Sequence, residues 1–230
     1  MSRIESWLRA RVPNAIQLLV VPITTLVVTG ILALAVIGPL TRHLGILITD
    51  ALVVLFDLAP VVGGAVFGLL YAPLVITGMH HMFIAVDLQL IASHGGTFIW
   101  PMIVMSNLAQ GSAALAVFQA SRSVRERSMA STSALSAYFG ITEPAMFGVN
   151  LRYKFPFYAA LLGSALAAVF LSLNKTSASA IGVGGLPAFI SVIPQHIPMF
   201  VVGMLIAVLV PFALTYGLCR KIIRPGFRVA

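Results

Sequence analysis

Charge is scarce in this sequence. Only 9% of its 230 residues are charged, 60% are hydrophobic, and the mean hydropathy is +1.04. Asp, Glu, Lys and Arg are absent from residues 12–41, 58–86, 88–121, 155–174 and 176–219. A helix of about 20 apolar residues crosses the hydrocarbon core of a bilayer, where its backbone groups are satisfied internally. The composition therefore excludes an ordinary soluble domain and predicts an all-α, polytopic membrane protein with several transmembrane helices.

Cysteine and the common catalytic motifs are also scarce. The single cysteine, Cys219, excludes an internal disulfide and a CxxC metal or redox pair. No Walker motif, GxGxxG or nucleophile elbow is present, so nucleotide-driven and hydrolytic chemistry are not supported. The histidines and the aspartate between residues 80 and 94 lack the ligand spacing of a zinc site. We therefore expect neither a metal nor a cofactor, and the polar, basic N terminus argues against a secretory signal peptide.

The basic residues behind the net charge of +8 are grouped at the ends of the apolar stretches. The groups are Arg3, Arg9 and Arg11; Arg122, Arg125 and Arg127; and Arg220, Lys221, Arg224 and Arg228. The positive-inside rule accounts for such groups and places all three in the cytoplasm. We therefore expect a multi-pass protein in contact with lipid, and no nucleic-acid partner.

Five segments have the length and composition of membrane spans. They are residues 15–40, 60–83, 97–120, 155–173 and 197–219. Residues 45–59 are shorter and carry Asp50 and Asp57 near one helix face, which fits either an interfacial helix or a short crossing. Because both ends of residues 12–121 are predicted to be cytoplasmic, the crossings between them are even in number. Either residues 45–59 also cross, or one segment is re-entrant.

Two further segments, residues 129–150 and 181–194, are apolar but interrupted by Gly and Pro. Each precedes a regular apolar helix. Non-helical backbone inside a membrane is tolerated only where it lines a cavity or is buried in protein. A pair of interrupted hydrophobic segments is typical of a transporter's substrate site, and we interpret both as re-entrant.

Glu143 is the carboxylate of the first interrupted segment. Pro144 follows it and disfavours α conformation at the glutamate, while Gly140 and Gly148 on either side would allow a bend. We therefore expect the chain to be turned at Glu143. Since an acid in such apolar surroundings is costly, we expect its side chain to face a polar cavity with a functional role.

His80 and His81 are adjacent in the sequence and lie near the end of the charge-free stretch 58–86, just after Gly78. Adjacent residues of a helix point about 100° apart, so at most one imidazole faces the cavity of the glutamate. The alternative for such a histidine is a hydrogen bond to a neighbouring carbonyl. Asp87 either orients one of the histidines or lies at the membrane surface.

Several of these residues carry a resemblance to a known family. ITGMHH (76–81), GGTFIWPMIVMSNLAQGSA (95–113), GITEPAMFGVNLRYKFP (140–156) and GVGGLP (182–187) occur in this order. The set resembles the membrane-embedded IIC domain of sugar permeases of the phosphotransferase system. The match is to the glucose/sucrose/trehalose superfamily, is strongest to its trehalose-specific branch, and extends from about Pro13 to Leu218.

The resemblance implies uptake of a disaccharide, trehalose first and sucrose or another glucoside next, with phosphorylation at its 6-hydroxyl in the cytoplasm. The family's sugar-binding glutamate maps to Glu143 and its functional histidine to the pair His80 and His81. Amide, hydroxyl and carboxyl side chains that are candidates for further sugar contacts are Asp87, Asn107, Gln110, Thr142 and Asn150. A carboxylate accepts several hydrogen bonds, which suits adjacent sugar hydroxyls.

The same resemblance implies a bacterial cytoplasmic membrane, a phosphocysteine-bearing IIB domain, further N-terminal IIC helices, and a homodimer of the complete protein. The chain is similar to the C-terminal part of a IIC domain. Residues 1–14 are then a surface lead-in with Trp7 as interfacial anchor, 15–59 link to the other helices, 60–219 bind sugar, and 220–230 form a basic tail. A proton-coupled secondary sugar transporter and a non-transporting fragment are the alternatives.

Overall fold

The computed structural model of the chain describes residues 2–32, 35 and 38–222. Its α-helices are α1 (Ser2–Arg9), α2 (Asn14–Leu32), α3 (Gly38–Leu58), α4 (Pro60–Ile76), α5 (Met82–His94), α6 (Ile99–Ala120), α7 (Val124–Tyr138), α8 (Glu143–Ala145), α9 (Leu151–Tyr153), α10 (Phe155–Leu173) and α11 (Ile197–Ile222). Within the described residues no strand forms, apart from isolated bridges of Ala178 with Thr97 and Val192. The predicted all-α class is confirmed.

The chain divides into two compact units, Met1–Ile48 and Thr49–Ala230. In the first unit, the Gln17 side chain donates to the Arg9 carbonyl oxygen at 2.6 Å and connects α1 with α2. Trp7 is 56% exposed. Helix α2 fills the predicted span 15–40 only as far as Leu32, because residues 38–40 already belong to α3. Residues 33, 34, 36 and 37 lie outside the described set.

Helix α6 is the centre of the second unit. Nearly all of its side chains are buried, as expected for a helix that is apolar on every side. Helices α6, α10 and the segment Pro194–Arg220 are each long and apolar enough to cross a membrane. The spans predicted at residues 97–120, 155–173 and 197–219 are thus confirmed as apolar helices of spanning length.

Glycines let the helices of this unit approach closely. The tight pairs are Gly64 with Ala168, Gly68 with Ala165, Gly163 with Pro211 and Gly203 with Leu171. A Cβ at Gly68 would lie 2.5 Å from the Cα of Ala165, so the close approach depends on the absence of a side chain. The order of these pairs along the chain shows that α10 runs antiparallel to both α4 and α11.

The helix directions gather most basic residues at one end of the second unit, while Lys175 lies at the other. Helix α6 ends just before Arg122, α10 begins just after Lys154, and α11 contains Arg220 in its last turns. We call this the basic end. The opposite end holds the turns around residues 95–97 and 176–178, which are joined by the bridge of Thr97 with Ala178.

Two sequence predictions about helices are wrong. Residues 60–83 do not form one span, because α4 ends at Ile76 and Gly78 turns the chain with a φ of +76° before α5. Residues 45–59 are not a short separate helix but belong to α3, which has 21 residues. The aspartates at positions 50 and 57 therefore lie within one longer helix. Of the predicted basic tail 220–230, only the first three residues are among the described ones.

The first interrupted segment forms a helical hairpin. Helix α7 runs from the basic end along α6, where a Cβ on Gly111 would contact Ala137 and Ala134. After a turn at Gly140, α8, a π-helical turn at Met146–Asn150 and α9 return to the basic end. The hairpin starts at Val124, five residues before the predicted limit. Its insertion into a bilayer as a re-entrant segment stays a prediction.

Candidate functional site

Two glycine loops pack on one another just ahead of Glu143. Gly140 has a φ of +98°, a conformation that side-chain-bearing residues rarely adopt, and it turns the chain after α7. A Cβ on Gly140 would lie 2.9 Å from the Gly184 nitrogen, and one on Gly185 would lie 2.8 Å from the Gly140 nitrogen. The two interrupted segments therefore meet backbone to backbone, with no space for side chains between them.

Polar side chains of α6 and α7 hold this junction. Asn107 Nδ2 donates to the Gly184 carbonyl oxygen at 2.8 Å, which ties the second loop to the middle of α6. Ser112 Oγ and Tyr138 Oη are hydrogen-bonded at 2.9 Å and tie the end of α7 to the same helix. Ser136 Oγ donates to the Ile141 carbonyl oxygen at 3.0 Å across the turn. The backbone that leads to Glu143 is thus fixed by hydrogen bonds on both sides.

Glu143 is the first residue of α8, and its side chain is exposed within this chain. The expected departure from α conformation at Glu143 is wrong. Pro144 lies in the first helical turn, where its missing N–H needs no partner, so a helix can start at the glutamate. The turn in the chain lies three residues earlier, at Gly140. Gly148 makes no bend, since it lies inside the π-helical turn without a positive φ.

The histidine pair lies in the turn between α4 and α5. His80 and His81 are in a short 3-10 turn with ring centroids 4.0 Å apart. His80 is partly buried and His81 is exposed. The carboxylate of Glu143 lies within electrostatic range of His80. The structure thus places His80 and Glu143 within electrostatic range of each other, with no hydrogen bond between them among the described residues.

Tyr71 is a polar residue of this region that the sequence analysis missed. It is 5% exposed, and its ring packs edge to face on His80 with centroids 6.3 Å apart. The charge of Glu143 also reaches Tyr71. A sequence signal existed, because a lone hydroxyl-bearing aromatic in the apolar helix Pro60–Ile76 precedes the histidines by nine residues. Tyr71, His80 and Glu143 form what we call the Glu143 cluster.

The predicted amide contacts are engaged with the protein itself. Asn150 Nδ2 donates to Gln110 Oε1 at 2.7 Å and to the Gln110 carbonyl oxygen at 2.9 Å, and both residues are almost fully buried. Asn107 is held by Gly184 as described above. Thr142 is 5% exposed, and its carbonyl oxygen accepts from the Met146 nitrogen at 2.9 Å. These bonds support the hairpin that carries Glu143, and direct sugar contact by these residues stays a prediction.

Asp87 is a fully buried residue of α5 whose side chain meets the segment just ahead of α6. Its Oδ1 accepts from Thr97 Oγ1 at 2.5 Å, and Thr97 Oγ1 accepts from the Ile99 nitrogen at 3.1 Å. A carboxylate in this place stabilises the unpaired N–H groups of a helix start. These contacts differ from both interpretations of Asp87 made from the sequence, which were orientation of a histidine and a place at the membrane surface. Its charge nonetheless reaches Tyr71.

A second polar group, built around Glu126, joins both ends of the hairpin at the basic end. Ser121 Oγ donates to Glu126 Oε2 at 2.6 Å. This bond holds the pKa of the Glu126 carboxyl below its usual value, and the nearby Tyr153 and Arg152 act in the same direction against a smaller opposing effect of burial. Arg127 donates to the Ser121 carbonyl oxygen at 3.3 Å. The carboxylate thus couples the start of α7 to the return of the hairpin.

We predict that Ser121→Ala destabilises the protein in a pH-dependent way. A carboxyl with a lowered pKa stabilises the fold above its unfolded pKa, and this contribution is lost as the pH falls through the folded pKa. Removing the hydroxyl reduces that contribution, so the loss in melting temperature at neutral pH should shrink at acidic pH. Thermal unfolding in detergent across a pH series measures it.

Ser123→Ala is the matched control, since the Ser123 hydroxyl accepts from the Glu126 backbone nitrogen and caps α7 without meeting a carboxylate. The loss in melting temperature caused by Ser123→Ala should be similar at all pH values. An equally constant cost for Ser121→Ala would contradict the coupling to Glu126.

Comparison with known proteins agrees with this architecture. The family described as "Phosphotransferase system, EIIC" matches residues 1–164. The chain is 48% identical over 221 residues to the trehalose-specific EIIBC component of the phosphotransferase system of Bacillus subtilis. The aligned region covers 96% of this chain and 47% of that protein. No solved structure matches the chain.

Two other relatives have similar coverage. The sucrose-specific EIIBC component of Vibrio alginolyticus is 46% identical, over 94% of this chain and 46% of its own length. The trehalose-specific EIIBC component of Escherichia coli is 44% identical, over 97% of this chain and 47% of its own length. The chain thus spans about half the length of the curated relatives it matches.

Proposed function

Because the chain belongs to the EIIC family of the phosphotransferase system, we propose that it binds and translocates a disaccharide as the membrane part of a sugar permease. Trehalose is the favoured substrate and sucrose or another glucoside comes next, since relatives named for both sugars match with similar identity. The sugar is phosphorylated at its 6-hydroxyl on the cytoplasmic side. The observation that carries this proposal is the exposed carboxylate of Glu143, held on a backbone that the junction of the two interrupted segments fixes.

The geometry suits recognition of a neutral, hydroxyl-rich molecule. Glu143 has an exposed carboxylate on a backbone fixed by the Gly140 and Gly184 loops. A carboxylate accepts hydrogen bonds from adjacent hydroxyls, and imidazole and phenol groups donate or accept as needed. His80 and Tyr71 supply these groups on the neighbouring turn and helix. Because the backbone that carries Glu143 is already fixed, little conformational entropy is lost when Glu143 binds the sugar.

In the phosphorylation step the chain positions the sugar. Phosphoryl transfer depends mainly on placing the attacking oxygen in line and stabilising charge, with little covalent chemistry for the protein. Glu143 orients the 6-hydroxyl and accepts its proton as the oxygen bonds to phosphorus. The S–P bond of a phosphocysteine on a IIB domain breaks in the same step, and the cysteine leaves as its thiolate. In this proposal Cys219 is not that donor, since it is 1% exposed in a helix.

The proposed partners follow from the half-length match. The curated relatives are EIIBC components, so we expect this chain to act with a IIB domain and with further IIC helices. We expect a homodimer of the complete protein in the bacterial inner membrane.

A reconstituted phosphorylation assay tests the proposal. Vesicles containing the chain and its IIC and IIB partners should convert labelled trehalose to a sugar phosphate when phosphoenolpyruvate and the general phosphotransferase proteins are supplied. Accumulation of unmodified sugar in the vesicles, driven by a proton gradient, would instead identify a secondary transporter. No binding of trehalose, sucrose or other glucosides would identify a non-transporting fragment.

We predict that His80→Ala weakens sugar binding more than His81→Ala. His80 is the partly buried member of the pair and contacts Tyr71, whereas His81 is exposed. Loss of one hydrogen bond to a neutral group is worth about 1 kcal/mol, or roughly fivefold in affinity. Isothermal titration with trehalose measures both variants. A larger loss for His81→Ala would assign the functional role to the other ring.

We predict that Tyr71→Phe lowers trehalose affinity by about fivefold while leaving the melting temperature close to that of the parent. The substitution keeps the ring that packs on His80 and on Phe67, with centroids 6.3 and 5.6 Å from that of Tyr71. Only the hydroxyl is removed. Unchanged affinity would show that Tyr71 supports the histidine turn without touching the sugar.

A further inference from the structure

A cavity of about 270 Å³ opens at the end of the second unit opposite the basic end. It lies among the end of α3, the end of α5, and the segments that follow α10 and precede α11. Pockets for small ligands measure about 300–1,000 Å³, so the space is near the lower limit and suits a single ring. Because the basic end is cytoplasmic by the positive-inside rule, the cavity faces the outside.

The floor of the cavity is apolar and aromatic. Phe56 and Phe98 lie with ring centroids 4.7 Å apart, and Leu90 is 1% exposed beside them. Ser172 adjoins this surface, but its Oγ is buried away from the cavity space and has no hydrogen-bond partner within the described part of the chain. The floor therefore offers a ligand an apolar, aromatic face.

The rim of the cavity is polar, and its charges cancel. Lys175 Nζ and Asp57 Oδ1 form an exposed ion pair at 3.2 Å. His196 Nδ1 accepts from the Ser177 nitrogen at 3.0 Å, so the neutral ring carries its hydrogen on Nε2 as a donor. His94 is the remaining titratable side chain of the lining. The described residues hold no group of three His, Cys, Asp or Glu side chains that suits a metal ion.

We propose that this cavity is an outer binding site for one ring of a neutral saccharide, separate from the Glu143 cluster. The aromatic floor takes the apolar face of the ring, and the His196 and Asp57–Lys175 groups bond hydroxyls at the rim. The assignment of a saccharide rests on the proposed function. The cavity then loads sugar on the outside before transport.

Cysteine protection tests the site. Cys219→Ala removes the single, buried native thiol, and Ser177→Cys places a probe in the cavity lining. Replacing Ser177 keeps the backbone N–H that binds His196. Val124→Cys, at a position 84% exposed near the basic end, is the matched control. Maleimide labelling of the full chain is followed with and without trehalose, in the parent and in the Glu143→Gln background.

We expect trehalose at about ten times its dissociation constant to slow labelling at position 177 about tenfold in both backgrounds, because only the empty fraction reacts. Labelling at position 124 should not change.

Three results would overturn the inference. Protection lost in the Glu143→Gln background would place its origin at the Glu143 cluster, while the proposed function stands. Protection by zinc and not by trehalose would assign the cavity to a metal. No protection in either background, with trehalose binding by the parent intact, would show that sugar does not enter the cavity.

Discussion

Glu143→Gln is expected to lower the affinity of the Glu143 cluster for trehalose by about 100-fold or more, while the outer cavity keeps its own affinity. Hydrogen bonds to a charged group contribute about 1.5–3 kcal/mol each, and a carboxylate can hold two adjacent hydroxyls, so about 3 kcal/mol is at stake. The amide keeps the size of the side chain but loses the charge and one of the two acceptor oxygens. Because Glu143 is exposed at the start of α8, the fold should not depend on its charge. Titration calorimetry with the detergent-solubilised chain measures the change.

Glu126→Gln is the matched control for this change. It makes the same substitution in the same hairpin, but Glu126 bonds Ser121 at the basic end and lies outside the Glu143 cluster. Its trehalose affinity should stay within about threefold of the parent, even if its stability falls. Equal losses for the two variants would point to a general effect on the hairpin. Unchanged binding by Glu143→Gln would remove the central residue of the proposed function.

Long apolar helices were the most predictable part of the fold. The segment 155–173 coincides with α10, and the spans 97–120 and 197–219 differ from α6 and α11 by a few residues at their ends. In such segments the absence of charge determines the structure almost alone, because a bilayer admits few alternatives. Helix ends depended on local chemistry instead. The positive φ at Gly78 ended α4 seven residues before the predicted limit, since periodicity cannot reveal a φ.

The roles of polar residues inside the unit were less predictable. Gln110 and Asn150 are 40 residues apart in sequence, yet the buried Asn150 amide donates to Gln110, and Asp87 accepts from Thr97 just ahead of α6. Sequence spacing predicts that a buried polar group needs a partner. It does not tell whether that partner is a ligand or another side chain, because the answer depends on tertiary packing. Tyr71 was overlooked for the same reason, as its contact with His80 follows from the turn after α4.

The junction of the glycine loops permits the second large prediction, that Gly185→Ala weakens trehalose binding at the Glu143 cluster and lowers the melting temperature. A Cβ at this position would overlap the Tyr138 carbonyl oxygen and lie 2.8 Å from the Gly140 nitrogen. Both are backbone atoms and cannot rotate away as a side-chain end does. Overpacking of this kind costs about 1–3 kcal/mol, and relief requires movement of the turn that carries Glu143. Affinity should therefore fall by about tenfold or more.

A graded series separates this packing effect from the loss of a glycine as such. Gly184→Ala meets Asn107 Nδ2 at 2.9 Å, a side-chain end that can shift, and should have a smaller effect. Gly217→Ala lies in α11 with no atom within 4 Å of the new Cβ, and should be neutral or slightly stabilising because alanine favours a helix by about 1 kcal/mol. If Gly185→Ala binds trehalose as tightly as Gly217→Ala, the junction does not position Glu143. The proposed site then loses the rigid support on which its preorganisation depends.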